Sequence, residues 1–107
     1  MIETSQLVDP AVRAFVEALN ANNKAALDAT MTADATMSDD GTPRVLGEWL
    51  QREVFDPHGR MVVTNQSADG HDLLVDYTNE QWGTMKTRWH FEVADGFVTH
   101  FDTGQAG

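Results

Sequence analysis

Cysteine is absent from the 107-residue chain. Without a thiol, the protein has no disulfide framework and no thiolate nucleophile. It also has no means of building a metal centre with cysteine ligands. These absences remove thiol chemistry and cysteine-ligated metals from the functions to be considered.

Basic residues are scarce as well. Seven lysines and arginines stand against 17 aspartates and glutamates, which gives a formal net charge of -10. A surface of that sign repels phosphate backbones and anionic lipids, so we expect neither nucleic acid nor a membrane among the partners. The acidic excess is typical of a soluble protein and does not by itself identify a positively charged partner.

Long apolar runs are missing too, and none approaches the length of a membrane-spanning helix. Residues Met1 to Asp9 lack the basic segment and apolar run of a signal peptide. We therefore expect a soluble, cytoplasmic protein. No linker, long repeat or low-complexity segment interrupts the sequence, which predicts a single domain over residues 1–107.

The most informative stretch that is present runs from Thr84 to Thr103. Apolar and polar residues alternate on both sides of Asp95-Gly96, which is the period of half-buried strands. We predict a hairpin closed by a three-residue loop, Ala94 to Gly96, that pairs Trp89 with Phe101. This register puts one apolar set on a single face: Trp89, Phe91, Val93, Phe97 and Phe101. The opposite face carries a polar set: Arg88, His90, Glu92, His100 and Asp102.

Two further strands are predicted upstream, Met61 to Ser67 and His71 to Gln81. The second has Leu73, Val75 and Tyr77 on one face. A loop at Gln81-Trp82-Gly83 would place Val75 opposite Trp89. An exposed Trp82 in that loop would indicate an interface.

Helical signals occupy the first half of the chain. Asp9-Pro10 predicts a helix start whose apolar face is Val12, Phe15, Val16 and Leu19. Asn23 can cap a second helix from Lys24 to about Met31, and a third is predicted from Gly47 to Phe55. A short strand, Ala33 to Ser38, precedes a turn at Asp39-Asp40-Gly41, and residues 42–46 read as irregular. The predicted fold is α+β: a cone-like curved antiparallel sheet covered by three N-terminal helices.

This order of elements resembles the nuclear transport factor 2-like superfamily, which includes SnoaL-like cyclases, limonene epoxide hydrolases and ketosteroid isomerases. The segment from Phe15 to Asp39 is similar, without a gap, to the first two helices and first strand of the isomerases. Trp89-His90-Phe91 is similar to their Asp-His-Phe. The resemblance implies a cone-shaped fold with an internal cavity and a homodimer formed through the outer face of the sheet. Contact residues there would include His90, His100, Val98 and Leu74.

Residue by residue, the resemblance places Asp39 on the catalytic base of the isomerases. Phe15 and Trp89 fall on the two side chains that donate hydrogen bonds to the oxyanion. Losing one such donor lowers a rate about a hundredfold to a thousandfold. We therefore do not expect steroid isomerase activity.

Asp39 is the first candidate catalytic residue, because burial beside Trp89 and Phe15 would disfavour its charged form and suit it to act as a base. The alternative is a solvated turn aspartate. Tyr77 is the second candidate, as a donor to a ligand oxygen; the alternative is a core ring whose hydroxyl bonds to backbone. Five aromatic residues are predicted to bind substrate: Phe15, Trp49, Trp89, Phe91 and Phe101. Either Asn65 or Gln66 should also face inward.

His90 and His100 lie opposite each other in the predicted register, but two imidazoles are half a metal site and no third ligand is placed, so we expect no metal. Arg88 and Asp102 are similar in residue type to the Asp-Arg-Asp arrangement of the epoxide hydrolases. That arrangement lies on inward faces of strands, whereas both residues are predicted here to point outward. No glycine-rich phosphate loop or nucleophile elbow occurs, and we expect no cofactor.

Two functional hypotheses remain. In the first, the cavity binds a small apolar organic molecule and Asp39 acts on it as acid or base in an isomerisation, cyclisation or hydrolysis. In the second, the chain is a ligand-binding or dimerising module without catalysis. An open pocket that reaches Asp39 would favour the first hypothesis.

Overall fold

A six-stranded mixed sheet forms the framework of the protein in a computed structural model that describes residues 1–106. The strands are β1 (Met31–Asp39), β2 (Thr42–Arg44), β3 (Arg60–Gln66), β4 (Asp72–Asn79), β5 (Gly83–Ala94) and β6 (Phe97–Gln105). Their spatial order is β2-β1-β6-β5-β4-β3. All neighbours are antiparallel except β1 and β6, which are parallel. The prediction of an α+β fold with a curved, antiparallel sheet is confirmed, with one parallel pair. The elements between β1 and β6 supply the long crossover that a parallel pair requires.

Two capped helices cover one face of this sheet. In α1 (Pro10–Asn20), the Asp9 carboxylate accepts from the N–H groups of Ala11 and Val12 at 2.8 and 3.1 Å. In α2 (Lys24–Ala29), the Asn23 side chain accepts from Ala26 at 3.0 Å. Both predicted starts are therefore confirmed. The second helix ends before its predicted limit because Met31 already begins β1.

The core lies between these helices and the sheet. The four predicted apolar residues of α1 are fully buried: Val12, Phe15, Val16 and Leu19. The Phe15 ring packs edge-on against Phe91 and Phe101, with centroids 5.0 and 5.2 Å apart. On β4, Leu73, Val75 and Tyr77 face inward as predicted. None of the helices within residues 1–106 is long and apolar enough to cross a membrane.

The third helical segment has two parts. α3 (Leu46–Leu50) is α-helical and continues directly into a π-helical segment, Gln51–Phe55, in which the Asp56 N–H donates to Gln51. The sequence predicted one helix from Gly47 to Phe55. The predicted limits agree with the observed ones to within one residue, but the change from α-helix to π-helix was not predicted. Thr42–Arg44, predicted to be irregular, pairs with β1.

The β5–β6 hairpin differs from its prediction. Asp95 and Gly96 alone form the turn, with φ of +52° and +83°, so the connection is a two-residue type I′ turn. β6 then carries one extra residue, Thr99, between the pairs Val93–Val98 and Glu92–His100. This bulge restores the aromatic face, since Phe91 pairs with Phe101.

The bulge exchanges two residues that the sequence assigned to opposite faces. Val98, predicted as an outward contact, is fully buried, and Phe97, predicted to face inward, is 46% exposed. Both assignments were wrong because they assumed uninterrupted alternation along β6. The remaining aromatic residues of the face, Trp89, Phe91 and Phe101, are buried as predicted.

The β4–β5 hairpin is shifted by two residues from its predicted register. Its loop is Glu80-Gln81-Trp82, and Leu73 rather than Val75 pairs with Trp89. The Asn79 side-chain oxygen accepts from the N–H groups of Gln81 and Trp82 at 3.0 and 2.7 Å, which fixes the loop one residue early. A shift of two preserves the faces, so the inward residues are unchanged.

Candidate functional site

An open cavity of about 360 Å³ lies where the ends of β1, β4, β5 and β6 meet the third helical segment. Four aromatic residues border it: Trp49, Tyr77, Trp82 and Trp89. Three acidic residues border it as well: Asp39, Asp40 and Glu53. The side chains packed in the core therefore leave the end of the cone open, and the opening reaches Asp39.

Three nearly buried rings form the floor of this cavity. The Trp49 and Trp89 rings meet edge to face, with centroids 6.2 Å apart and planes at 72°. Tyr77 approaches Trp89 from another side, at 5.9 Å and 48°. Each of the three residues is 5% exposed or less, whereas Trp82 on the β4–β5 loop is 61% exposed. The cavity thus has a rigid aromatic floor and one exposed indole at its rim.

Asp39 occupies the last position of β1, directly before a two-residue Asp40-Gly41 turn. Backbone pairing with Thr42 on one side and Thr103 on the other fixes its position. Its Oδ2 accepts a hydrogen bond from the Trp49 indole N–H at 3.3 Å. Within residues 1–106 it makes no salt bridge, in contrast to Asp40, whose Oδ1 lies 3.1 Å from Arg88. The half-buried Asp39 is therefore the carboxylate of the cavity that is free of a cationic partner.

The hydrogen-bond donors around the floor are already occupied. The Trp89 indole N–H donates to the Thr87 hydroxyl at 3.0 Å, and that hydroxyl donates to the Val75 carbonyl. The Tyr77 hydroxyl donates to the Glu53 carbonyl at 2.7 Å. Burial raises the pKa of Tyr77 far above its ordinary value. Tyr77 thus borders the cavity, but its hydroxyl is bonded to backbone, which was the alternative expected from the sequence.

The five aromatic residues predicted to bind substrate separate into two groups. Trp49 and Trp89 border the cavity. Phe15, Phe91 and Phe101 are fully buried beneath Trp89 and do not border it. The reason is that strand alternation identifies the inward face of a sheet, whereas the part of that face left uncovered depends on how the helices pack.

The outer face of the sheet holds the predicted histidines, and they do not meet. His90 pairs with Asp102 across the strands and its Nδ1 lies 2.7 Å from Asp72, while His100 Nδ1 lies 2.8 Å from the Thr36 hydroxyl. The predicted juxtaposition was wrong because the two-residue turn and the bulge at Thr99 each shift the register by one residue. Within residues 1–106 no group of three or more His, Asp or Glu side chains is arranged to hold a metal ion.

The predicted Arg88–Asp102 ion pair is present on this outer face, with Arg88 Nη1 2.7 Å from Asp102 Oδ2. The Ser38 hydroxyl and the Gly41 N–H also donate to Asp102. Burial raises the pKa of Asp102, but these donors outweigh burial and hold it below its usual value. Arg88 therefore ties the outer face to Asp40 at the cavity rim.

Neither amide residue of β3 reaches the cavity. The Gln66 side chain donates to the Gln6 carbonyl and accepts from the Val8 N–H, both at 3.0 Å. Asn65 is exposed, and its side chain caps the N–H of Gln66. The expectation that one of the two faces inward is confirmed for Gln66, which pairs with the buried Leu73. Its side chain contacts the N-terminal segment rather than the cavity, and a register shift between Val63 and Asn65 sets this pairing.

Several bordering residues escaped the sequence interpretation. Glu53 lies four positions after Trp49 in the same helical segment, a spacing that could have placed it on the same face. Trp82 was predicted in a loop but was not connected with the cavity. Thr103, Gly104 and Gln105 border the cavity because Trp89 pairs with Thr103, which the predicted register did not allow.

Solved structures with the same architecture exist. An NTF2-like protein of unknown function from Cytophaga hutchinsonii is 19% identical, covering 99% of this chain and 92% of that one, with a TM-score of 0.74. A proposed polyketide cyclase from Sinorhizobium meliloti is 16% identical, covering 95% and 99%, with a TM-score of 0.76. A proposed ketosteroid isomerase from Kribbella flavida is 18% identical, covering 95% and 79%, with a TM-score of 0.71.

No protein-family model matches the chain, and no curated protein matches it. The structural similarity nevertheless spans nearly all of the chain. The protein therefore has the nuclear transport factor 2-like fold, as the resemblance predicted. At these identities the similarity concerns the fold alone, and function has to be argued from the cavity.

Proposed function

We propose that the protein binds a small organic molecule in the tryptophan-lined cavity and that Asp39 acts on this molecule as acid or base. The observation that carries the proposal is the position of Asp39, a half-buried carboxylate at an open cavity without a salt bridge in the described residues. The reaction class is an isomerisation, cyclisation or hydrolysis. The names of two solved structures with this fold, a proposed cyclase and a proposed isomerase, support this class.

In this mechanism the Trp49 N–H holds Asp39 Oδ2, which leaves Oδ1 to receive a proton from the bound molecule. In an isomerisation or cyclisation, Asp39 then returns this proton to another atom of the molecule. In a hydrolysis, Asp39 instead takes the proton from the water molecule that attacks. The buried aromatic floor gives the reacting group an apolar surface on one side. A general base in such a position contributes about a hundredfold to ten-thousandfold to a rate.

Binding without catalysis is the second candidate, and one observation favours it. The indole N–H groups of Trp49 and Trp89 and the hydroxyl of Tyr77 are all bonded to protein acceptors. None of these three donors is left to stabilise an oxyanion. Oxyanion stabilisation is usually the largest single contribution to the rate of acid–base enzymes of this kind. A pocket with this lining can bind a ligand without transforming it.

The deciding experiment compares the wild type with Asp39→Asn, which keeps an oxygen for Trp49 and removes the base. Binding of neutral cyclic ketones, lactones and epoxides is followed by tryptophan fluorescence, since all three tryptophans border the cavity. Turnover of each ligand that binds is followed by mass spectrometry. We expect Asp39→Asn to bind normally and to lose at least about a hundredfold in rate.

The control is Asp34→Asn, which makes the same change of charge at an exposed position of β1. Equal turnover by wild type and Asp39→Asn would remove Asp39 from the mechanism. Binding without turnover by the wild type would establish the second candidate instead. A wild type that binds none of the panel contradicts the proposal for neutral ligands.

A further inference from the structure

We propose that the ligand of this cavity carries a positive charge: a small organic ammonium compound whose head group sits against the aromatic rings. This inference rests on the proposed function only in requiring that the cavity bind a small molecule. It goes further by naming the chemical class, and it holds whether or not Asp39 performs catalysis.

The first argument is the aromatic lining. The faces of indole and phenol rings carry negative charge density, and cations are attracted to them within about 6 Å of the ring centroid. Trp49 and Trp89 stand at 72° to one another, and Tyr77 is inclined to Trp89 by 48°. Rings turned to different directions around one space surround a compact cation better than parallel rings do. Trp82, exposed at the rim, supplies a fourth ring.

The second argument is the sign of the charges. Three carboxylates border the cavity and no lysine or arginine does. Two of the carboxylates have cationic neighbours outside the lining: Asp40 has Arg88 at 3.1 Å, and Glu53 has Arg52 at 3.4 Å. Asp39 has none within the described residues. A bound ammonium group would supply the missing partner of Asp39.

The third argument is the direction of the hydrogen bonds. The ring N–H groups and the tyrosine hydroxyl at the floor donate to protein atoms, so a ligand carbonyl finds no donor among them. Besides the polar side chains of Asn79, Thr103 and Gln105, the cavity offers the Asp39 carboxylate and the ring faces, both of which favour a cation or a donor. The net charge of -10 also raises the local concentration of cations around the opening.

Size is consistent with this ligand class. A cavity of about 360 Å³ is at the small end of ligand pockets. It accommodates a trimethylammonium head with a short chain and leaves no room for a large fused-ring skeleton. Choline is therefore a suitable probe of the chemistry, without being identified as the natural ligand.

The test compares choline with its uncharged analogue, in which a carbon atom replaces the nitrogen. Affinities are measured by tryptophan fluorescence and by chemical-shift changes of the indole N–H groups, at constant ionic strength. We expect choline to bind at least about tenfold more tightly than its neutral analogue, because cation–ring attraction distinguishes two molecules of the same shape.

Two variants locate the binding. Asp39→Asn should weaken choline binding at least about fivefold while leaving the neutral analogue unchanged, and Trp82→Ala should weaken choline binding without disturbing the fold, since Trp82 is exposed. The matched controls are Asp34→Asn on the same strand and Phe97→Ala, another exposed aromatic residue. Neither control should change the affinity for choline.

Each outcome decides the proposal. Equal affinity for choline and its neutral analogue, or a preference for the neutral one, overturns the cation proposal. Absence of choline binding overturns it too. Binding of the neutral ketones, lactones or epoxides in that case would leave the proposed function standing alone. Absence of any binding, charged or neutral, would contradict both proposals.

Discussion

Tyr77 illustrates, at the scale of single residues, how a polar group is accommodated beside the cavity. Its ring packs on Trp89, and its hydroxyl donates to the carbonyl of Glu53, where the π-helical segment leaves that oxygen available. The amide of Asn79 lies near the same carbonyl. A buried hydroxyl without such an acceptor would cost about 1–3 kcal/mol. The residue is therefore held by both its ring and its oxygen.

We predict that Tyr77, the single tyrosine of the chain, remains un-ionised in the folded protein when the pH rises above 10. Burial raises its pKa, so above pH 10 the unfolded chain loses a proton that the folded chain keeps. Stability must then fall as the pH rises beyond the ordinary tyrosine value. The measurement is phenolate absorbance, which should appear together with unfolding. An early phenolate signal from folded protein would contradict the burial of this hydroxyl.

Sequence reasoning at this scale identified Asp39, Trp49, Tyr77 and Trp89, all of which border the cavity. Helical spacing and strand alternation were sufficient for the aromatic residues, because both patterns mark the inward side of an element. The same patterns also selected Phe15, Phe91 and Phe101, which lie deeper. Depth along the cone is set by which strand ends the helices leave uncovered, and neither pattern contains that information.

Among the elements, the third helical segment has the greatest influence on the cavity. α3 carries Trp49 to the floor, and the π-helical continuation carries Glu53. Short π-helical segments are rare and frequently lie at functional sites. The segment ends at Phe55, and the chain then turns at His58, with φ of +53°, so that the Gly59 N–H donates to the Val54 carbonyl at 2.7 Å. This ending brings the backbone at Gly59 close to Tyr77.

We predict that Gly59→Ala lowers the free energy of unfolding by about 1–3 kcal/mol. An added Cβ at this position would fall on the Tyr77 hydroxyl, and the hydroxyl would have to leave the Glu53 carbonyl. The measurement is chemical denaturation followed by circular dichroism.

The matched control is Gly47→Ala, in the helical part of the same segment, where an added Cβ meets nothing within 4 Å. There the helix propensity of alanine should stabilise the protein by up to about 1 kcal/mol. Equal effects at the two glycines would show that Gly59 does not support Tyr77.

Hairpin registers mark the limit of what the sequence could predict for elements. The helix caps at Asp9 and Asn23 and the strands other than β2 follow from local signals. Register at β5–β6 depends on a bulge at Thr99, and register at β4–β5 depends on the Asn79 side chain, which bonds to its own loop. The bulge residue is a threonine, and without a glycine or proline at that position the sequence gives no signal for a bulge. Alternation alone therefore assigned Phe97 and Val98 to the wrong faces.

On the scale of the whole molecule, the net charge and the outer face of the sheet bear on whether copies of the chain associate. We propose a homodimer formed through this face, as the resemblance implied. Leu74 on β4 is 44% exposed there, beside the exposed His90 of β5. The excess of acidic residues would oppose association of two copies at low ionic strength. An interface on this face has to align its few cationic groups with carboxylates.

We predict that Leu74→Arg converts the dimer to a monomer, since it places a new charge in the middle of the proposed contact. The measurement is molar mass by light scattering over a range of protein concentrations. Val45→Arg, which alters an equally apolar and 65% exposed residue beside α3, should leave the dimer intact. A wild type that is monomeric at every concentration, or a Leu74→Arg variant that remains dimeric, would contradict the outer-face dimer.

The position of β6 between β1 and β5 constrains the time course of folding. Thr36 and His100 hydrogen-bond across these parallel strands although they are 64 residues apart in the chain. The β3–β5 meander can assemble from neighbouring segments, whereas β1 and β2 join the sheet only through β6. Closing so long a loop is slow relative to local hairpin formation. Nascent chains emerging from a ribosome would therefore keep the β1–β2 pair apart from the rest of the sheet until β6 has been synthesised.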